Sequence, residues 1–329
     1  GVLRYRDEAL LINAGPQGLA PALAKEGIHT VAKVLMSHHR RDVGAELTEI
    51  LASGAVDLVV PEAERELFEN PSAYWQAEES RWQLLCGHVP YHATHVHPYS
   101  VAQTVAAGDV LAWHTWRIRV LDTPGYTDGS VTYMVRQDGW EDEVAFTGDL
   151  IWGPGQVRDL YSLQHGMTRN GQSVGDYHGF CGSMWDVLGS LDEVTAGAVS
   201  HLVPAHGVVI DRPQDAVALL RSRFFTAYHN YVSISALRWY FPTYFADHSV
   251  DDTTLPVQQT LEFPPCVRRL AGTTWAVLAD DGHALLIDPC SREAVAAAVA
   301  AVAAGEVVAY DAIWLTHYHN DHLEGSERA

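Results

Sequence analysis

The chain opens the same way twice. Val2–Asn13, reading VLRYRDEALLIN, aligns without gaps to Val277–Asp288, reading VLADDGHALLID. Each copy has the pattern of a polar hairpin feeding an apolar strand that ends in Asn or Asp. A helical stretch follows each, then a second apolar strand, VAKVLM at 31–36 and DAIWL at 311–315. Both second strands run into histidine-bearing stretches, SHHRRDVGA and THYHNDHLEG. A supersecondary unit used twice has to fold consistently in both places, so repetition bounds the architecture before composition does. It implies two related α/β domains of unequal length.

The first copy continues. Residues 108–136 alternate short strand-like runs with turn residues, and EVAFTGDLI reads as another strand entering a loop. SMWDVLGSLDEV has helical spacing, and SHLVPAHG reads as a strand ending at a histidine. Residues 213–250 read as a helical cap, with Leu219, Phe224, Tyr228, Tyr231, Trp239 and Tyr240 as packing positions rather than a base-stacking surface. DDTTLPVQQTLEFPP is a linker by composition. The division expected is therefore a first domain at 1–212, a cap and linker at 213–262, and the opening part of a second domain at 263–329. The length of 329 residues suits two domains, and the first is expected to pack on the second. AVAAAVAAVAAG in the second copy reads as a core helix, with Val295, Val299 and Val302 on one stripe.

Composition excludes some classes. No run of about eighteen uncharged apolar residues exists, so no membrane partner is expected. Acidic residues outnumber basic ones 41 to 21, and a net charge of −20 opposes general nucleic-acid binding, which needs Lys and Arg against phosphate. Cys86, Cys181, Cys266 and Cys290 lie far apart, with no CxxC pair, favouring a reducing, cytoplasmic setting. The chain begins at Gly1 without Met, so the native N-terminus is expected to lie upstream.

WLTHYHNDHLEG packs three histidines and an aspartate into six positions after an apolar strand. Imidazole is the commonest neutral metal ligand, and a carboxylate adds charge neutralisation. A loop leaving a strand can aim His317, His319 and the Asp321–His322 pair at one pocket. These residues resemble the metallo-β-lactamase superfamily, whose THxHxDHxxG pattern stands here at Thr316, His317, His319, Asp321, His322 and Gly325. Its later signatures, of the types TPGHTxGS, GD and GHG, resemble TPGYTDGS, TGD and PAHG in the first copy. The resemblance covers residues 1–212 and 266–329. It implies an αββα sandwich, holding up to two zinc or iron ions at one edge of its two sheets, and a hydrolase. By the same resemblance, His317 and His319 bind one ion, and Asp321 and His322 the other, with Asp321 also handling protons. The aspartate of the GD signature bridges the two ions.

Residue by residue, the first copy departs from that pattern. His38 and Asp42 match motif ligands, while Arg40 and Val43 stand where histidines belong and Tyr126 replaces a third. Asp149 and His206 remain, so Asp42, Asp149 and His206 could still serve a single ion. A guanidinium is never deprotonated, and a buried charge needs a partner. The expectation is that Arg40 pairs with Asp42 or Asp149 in place of a cation, leaving a scaffold. His39 falls on a non-ligand position and reads as structural or exposed. His88, His92, His95 and His97 read as a polar loop over the sheet edge, and Trp113 and Trp116 as packing.

Residues 266–329 contain only the first of the ligand segments, so this chain reads as a piece of a longer protein, inactive by itself. The leading functional reading is a metal-dependent hydrolase acting on a small-molecule ester, thioester, amide, lactone or phosphoester. A non-catalytic binding or scaffold module, with Arg40, Tyr126 and His206 facing an anionic ligand, is a second. A di-iron redox protein on the same fold is a third.

Overall fold

The computed structural model describes residues 1–15, 17–77, 93–160, 163, 167–174, 182–234, 241–246 and 262–326. His88, His92, Cys86, Cys181, Trp239, Tyr240 and most of the linker lie outside them. The chain divides into two compact units, Gly1–Leu255 and Pro256–Ala329. No described helix is long and apolar enough to cross a membrane.

In the first unit, β1 (Val2–Tyr5), β2 (Glu8–Ile12), β3 (Thr30–Leu35), β4 (Asp57–Pro61) and β5 (Gln103–Val105) form a sheet in that order. The β1–β2 hairpin is antiparallel, and β2, β3, β4 and β5 run parallel. The second sheet comprises β6 (Val110–Trp113), β7 (Trp116–Asp122), β8 (Val131–Gln137) and β9 (Glu143–Phe146). A ribbon, β10 (Met167–Arg169) and β11 (Gln172–Val174), precedes β12 (Val199–Val203), which pairs in parallel with β9 to complete the second sheet.

Period-two alternation separates the layers. Leu10, Ile12, Leu35 and Val59 meet Ile118, Val120, Tyr133 and Val135 between the sheets. Their neighbours Ala9, Leu11, Val34 and Leu58 face the other way, with Leu23, Leu47, Ile50 and Phe68 of the helices Leu19–Lys25, Leu47–Ala52 and Arg65–Glu69. On the far side, Met134, Ala145 and Leu202 pack with helices Met184–Thr195 and Pro213–Ile234. The order is helix, sheet, sheet, helix, and both sheets are apolar on both faces because each is covered twice. Pro213–Ile234, which the sequence suggests is a cap beyond the first domain, is one of that domain's layers. Its Ala216, Leu220, Phe224 and Tyr228 are buried in the same core as Leu188 and Leu191.

The second unit has β13 (Val267–Ala271), β14 (Thr274–Leu278), β15 (His283–Ile287) and β16 (Ala309–Trp314) in one sheet, with helices Arg292–Ala303 and Asn320–Leu323. Its parallel pair β15–β16 reproduces β2–β3, including a register irregularity between Ala284 and Leu285 that matches the one between Ala9 and Leu10. Asn13 and Asp288 end the matching strands in the left-handed region, at φ 63° and 48°. Both donate the same backbone bond, from their own N–H to the carbonyls of Leu35 (2.8 Å) and Trp314 (2.9 Å).

One helix packs differently from its sequence pattern. In Arg292–Ala303 the buried positions are Ala294, Ala298 and Ala301, while Val299 and Val302 are exposed. Alanine permits closer approach of a helix to a sheet than valine does. The valines instead line a groove beside β16 with Leu286, Tyr310 and Ile313.

Candidate functional site

In the first unit four loops leaving strand ends converge. The loop after β3 carries Ser37–Asp42, the β7–β8 loop carries Tyr126, the loop after β9 carries Asp149, and the loop after β12 carries His206. Gly148, at φ 57°, draws the Asp149 loop against Ser37 and His38, where a Cβ would come within 3.1 Å of the Ser37 hydroxyl. Its carbonyl accepts the Ala205 N–H at 2.7 Å, tying that loop to the one bearing His206.

Asp149 is the centre of the cluster and is buried. His206 Nδ1 lies 3.0 Å from each of its oxygens, and His38 Nε2 lies 3.4 Å from Oδ2. The His38 Nδ1 accepts the Arg40 backbone N–H at 3.3 Å, which leaves the proton on Nε2, facing the carboxylate. Burial works to raise the Asp149 pKa, but the hydrogen bonds and charges of His206 and His38 outweigh it and hold the group far below the ordinary range. Asp42, Asp149 and His206 bring three ligand-type atoms within 4.8 Å of one another, the one such group among the described residues. A cleft of about 310 Å³ opens beside Asp42 and His206, walled in part by Ile12, Leu19 and Phe146.

A cation is already there, and it is not the expected one. Arg40 has an ion pair with neither Asp42 nor Asp149 among the described residues. Its Nη2 donates to the Tyr126 carbonyl at 2.7 Å, and its guanidinium carbon lies 3.9 Å from the centre of the Tyr126 ring. The Tyr126 backbone and ring face take up this charge, so the residue that replaces a histidine is turned onto the residue that replaces another. Arg158 is the arginine among the acids. Its Nη1 donates to Asp42 Oδ2 and lies 4.0 Å from Asp149 Oδ2 and 3.3 Å from His206 Nδ1. A nitrogen whose proton faces Asp149 cannot also accept from Arg158, so that last approach reflects two donors crowded around shared carboxylates.

Other histidines divide by burial. His39 is structural: its Nδ1 lies 3.1 Å from Glu64, and its backbone N–H donates to the same carboxylate. Thr127 also donates to Glu64, so this buried acid fastens the His38 loop to the Tyr126 loop. His95 and His97, which could share a strand face, lie in a loop with His95 buried and His97 exposed.

In the second unit the motif residues are more open, with His317 and Asp321 exposed and His319 and His322 half-buried. His317 Nε2 faces His319 Nδ1 at 3.0 Å. His322 points its Nδ1 at Asp288 Oδ2, 2.8 Å away, and its Nε2 at Asp321 Oδ2, 3.4 Å away. Asp288 also accepts the Thr316 N–H and hydroxyl, both at 2.7 Å. In the first unit Asn13 stands in its place, accepting the Ser37 N–H at 2.9 Å, and Val43 stands in place of His322. At these two positions imidazole and carboxylate are present together in the second unit and absent together in the first.

No protein-family model matches the chain, and no curated protein matches it. Solved structures do. A metallo-beta-lactamase family protein from Thermus thermophilus superposes with a TM-score of 0.50 at 22% identity, over 70% of this chain and 75% of that one. This is the metallo-β-lactamase fold. A Cronobacter sakazakii metallo-beta-lactamase described by a HARLDQ motif matches at 14% identity and a TM-score of 0.48, over 71% of this chain and 84% of that one. An archaeal metallo-beta-lactamase superfamily protein from Sulfolobus tokodaii matches at 15% identity and a TM-score of 0.44, over 67% and 78% of the two chains.

Within this metallo-β-lactamase fold, the two histidine stretches fit metal differently. The first unit does not fit two ions, since Arg40 and Tyr126 are stacked on each other and Val43 offers no donor. A single ion among Asp42, Asp149 and His206 would compete with Arg158 Nη1 for the same oxygens. In the second unit no cationic side chain contacts the imidazole nitrogens among the described residues, and the donor chemistry suits zinc or iron. Arg158 and Glu64 escaped the sequence reading. Arg158 follows a glycine-rich turn and Glu64 lies in an acidic run, and neither carries a spacing signal.

Proposed function

We propose that this chain belongs to a metal-dependent hydrolase whose metal is held in the second unit by His317, His319, Asp321 and His322. The observation that carries the reading is the facing pair His317 Nε2 and His319 Nδ1, 3.0 Å apart. Two imidazoles on one tetrahedral zinc, at about 2.0–2.1 Å each, place their nitrogens roughly 3.3 Å apart. The pair thus lies near ligand spacing, at the distance of a hydrogen bond between the two rings. Asp321 and His322 offer a second position beside it. Catalytic zinc generally takes about three protein ligands, so each position calls for a further donor.

A bound ion supplies Lewis acidity and acidifies a water to a pKa of about 7. The protein's own groups do the rest. Asp288 fixes the His322 ring by its Nδ1, leaving Nε2 outward. Asp321, exposed and next to that Nε2, is placed to take the proton of the attacking water and return it to the leaving group. Water oxygen adds to a carbonyl or phosphoryl centre of a small-molecule substrate and the ester, thioester, amide, lactone or phosphoester bond breaks.

The test compares the protein with its His317→Ala variant by elemental analysis after exhaustive dialysis and by hydrolysis of p-nitrophenyl ester, thioester and phosphodiester substrates. Metal content and hydrolysis fall together in the variant. Unchanged metal content and unchanged hydrolysis would sink the reading.

A further inference from the structure

We propose that Arg158 is the resident cation of the first unit: its guanidinium holds the Asp42–Asp149–His206 cluster together and bars a divalent ion, which the cluster would bind once Arg158 is removed. The inference is independent of the function assigned to the second unit.

Three observations carry it. The first is charge. Asp149 and Asp42 are 1% and 12% exposed at their side chains, and two carboxylates this close, one buried and one half-buried, need a positive partner. Arg158, 17% exposed, touches one and lies 4.0 Å from the other. Arg40, which could have served, is committed to Tyr126.

The second is that the loop delivering Arg158 is built for the purpose. It closes on itself through Trp152 N–H to the Gln156 carbonyl (2.8 Å) and Gln156 N–H to the Gly153 carbonyl (2.9 Å). Arg223, on helix Pro213–Ile234, donates to the Gly155 carbonyl at 2.7 Å. The Val208 N–H donates to the Trp152 carbonyl at 3.0 Å, and the Trp152 ring stacks near His206 with an interplanar angle of 9°. Arg158 and His206 therefore arrive on two loops fastened to each other.

The third is that the cluster keeps a ligand set while losing access. Asp42, Asp149 and His206 satisfy the three-ligand requirement of an open zinc or cobalt site. What stands in the way is one side chain, whose loss leaves three donors converging on a position without a counter-charge. An ion placed there would sit against the Arg158 guanidinium, whose Nη1 holds Asp42 Oδ2 and lies 4.0 Å from Asp149 Oδ2 and 3.3 Å from His206 Nδ1, and the two positive charges repel.

The experiment uses the whole chain carrying His317→Ala, His319→Ala and His322→Ala, so that the second unit takes no part, and titrates Co²⁺ by its visible absorption and by calorimetry. The parent takes up no Co²⁺ at the first unit. Adding Arg158→Ala produces one equivalent of binding, and a further His206→Ala abolishes it. One equivalent bound by the parent and lost with His206→Ala overturns the proposal, as does a folded Arg158→Ala protein that binds none. Should Arg158→Ala not fold, a double-mutant cycle of Arg158→Gln with Asp42→Asn decides the matter by melting temperature. The two substitutions are coupled if the guanidinium is the cation of this cluster, and additive melting shifts reject it.

Discussion

Asp288 shows what a single atom does in this chain. In the second unit its carboxylate holds His322 through Nδ1, whereas Asn13, at the matching place, has only a serine hydroxyl and backbone to serve. Asp288→Asn converts one into the other. A ligand left to rotate typically costs about 10–100-fold in metal affinity. That loss is the expected outcome, read by competition with a chromophoric chelator, and an unchanged affinity would remove Asp288 from the site. His95 gives a pH prediction at the same scale. Burial lowers its pKa to about 4, aided by the nearby charges of His39 and His38. Unfolded, the ring titrates near 6.5. Between those values the unfolded chain binds a proton that the folded chain refuses, so stability is complete above about 6.5 and declines as pH falls toward 4. The shift corresponds to roughly 3 kcal/mol. His95→Phe, of similar shape, flattens the dependence of unfolding free energy on pH over that window in urea titrations. An unaltered slope would show that another group is responsible.

Elements make clear how far a sequence pattern reaches. The strand–helix–strand unit was legible because the alternation of Ala9, Leu10, Leu11 and Ile12 is repeated at Ala284, Leu285, Leu286 and Ile287, and parallel register follows from it. The hairpin before it was less so. Val2 pairs with Leu11, yet Val277 pairs with Leu285, a slip of one residue from the gapless alignment. The cause is the turn. Arg6 and Asp7 form a two-residue turn with Arg6 at φ 57°, whereas the second hairpin closes from Ala279 to His283 around Gly282 at φ 82°. The site was legible in its ligands, which have motif spacing. Its counter-ion was not, because Arg158 meets Asp42 across 116 residues and no local pattern encodes that distance. The loop that brings it depends on Gly207, at φ 104°, where a Cβ would lie 2.0 Å from the Trp152 carbonyl oxygen. Gly207→Ala thus combines left-handed strain with a backbone collision. It is expected to destabilise the fold by about 2 kcal/mol or more in chemical denaturation. Wild-type stability in that variant would mean the two loops are not fastened as described.

At the scale of the whole molecule, identical patterns meet different surroundings. Val34, Leu35 and Met36 are fully buried, because β3 is flanked by β4 and covered on both faces. Their counterparts Ile313, Trp314 and Leu315 are 41%, 61% and 42% exposed, and β16 ends its sheet. Hydrophobic patterning reports which faces a strand can bury, while burial itself depends on what lies against them. Val299 and Val302 of the helix line one groove with Ile313, and Tyr318, just beyond the strand, is 73% exposed. Exposed apolar side chains gathered at a groove bind amphiphilic dyes. The chain is therefore expected to enhance 8-anilinonaphthalene-1-sulfonate fluorescence in its native state, below any melting transition. Ile313→Glu with Trp314→Glu removes most of that signal while shifting the melting temperature little, because neither side chain supports a core. Trp314→Phe, measured by acrylamide quenching, removes a readily quenched component, Trp314 being the most exposed of the described tryptophans. If instead it removes a shielded, blue-emitting component, the strand is covered in solution and its apolar edge has a partner within the native chain.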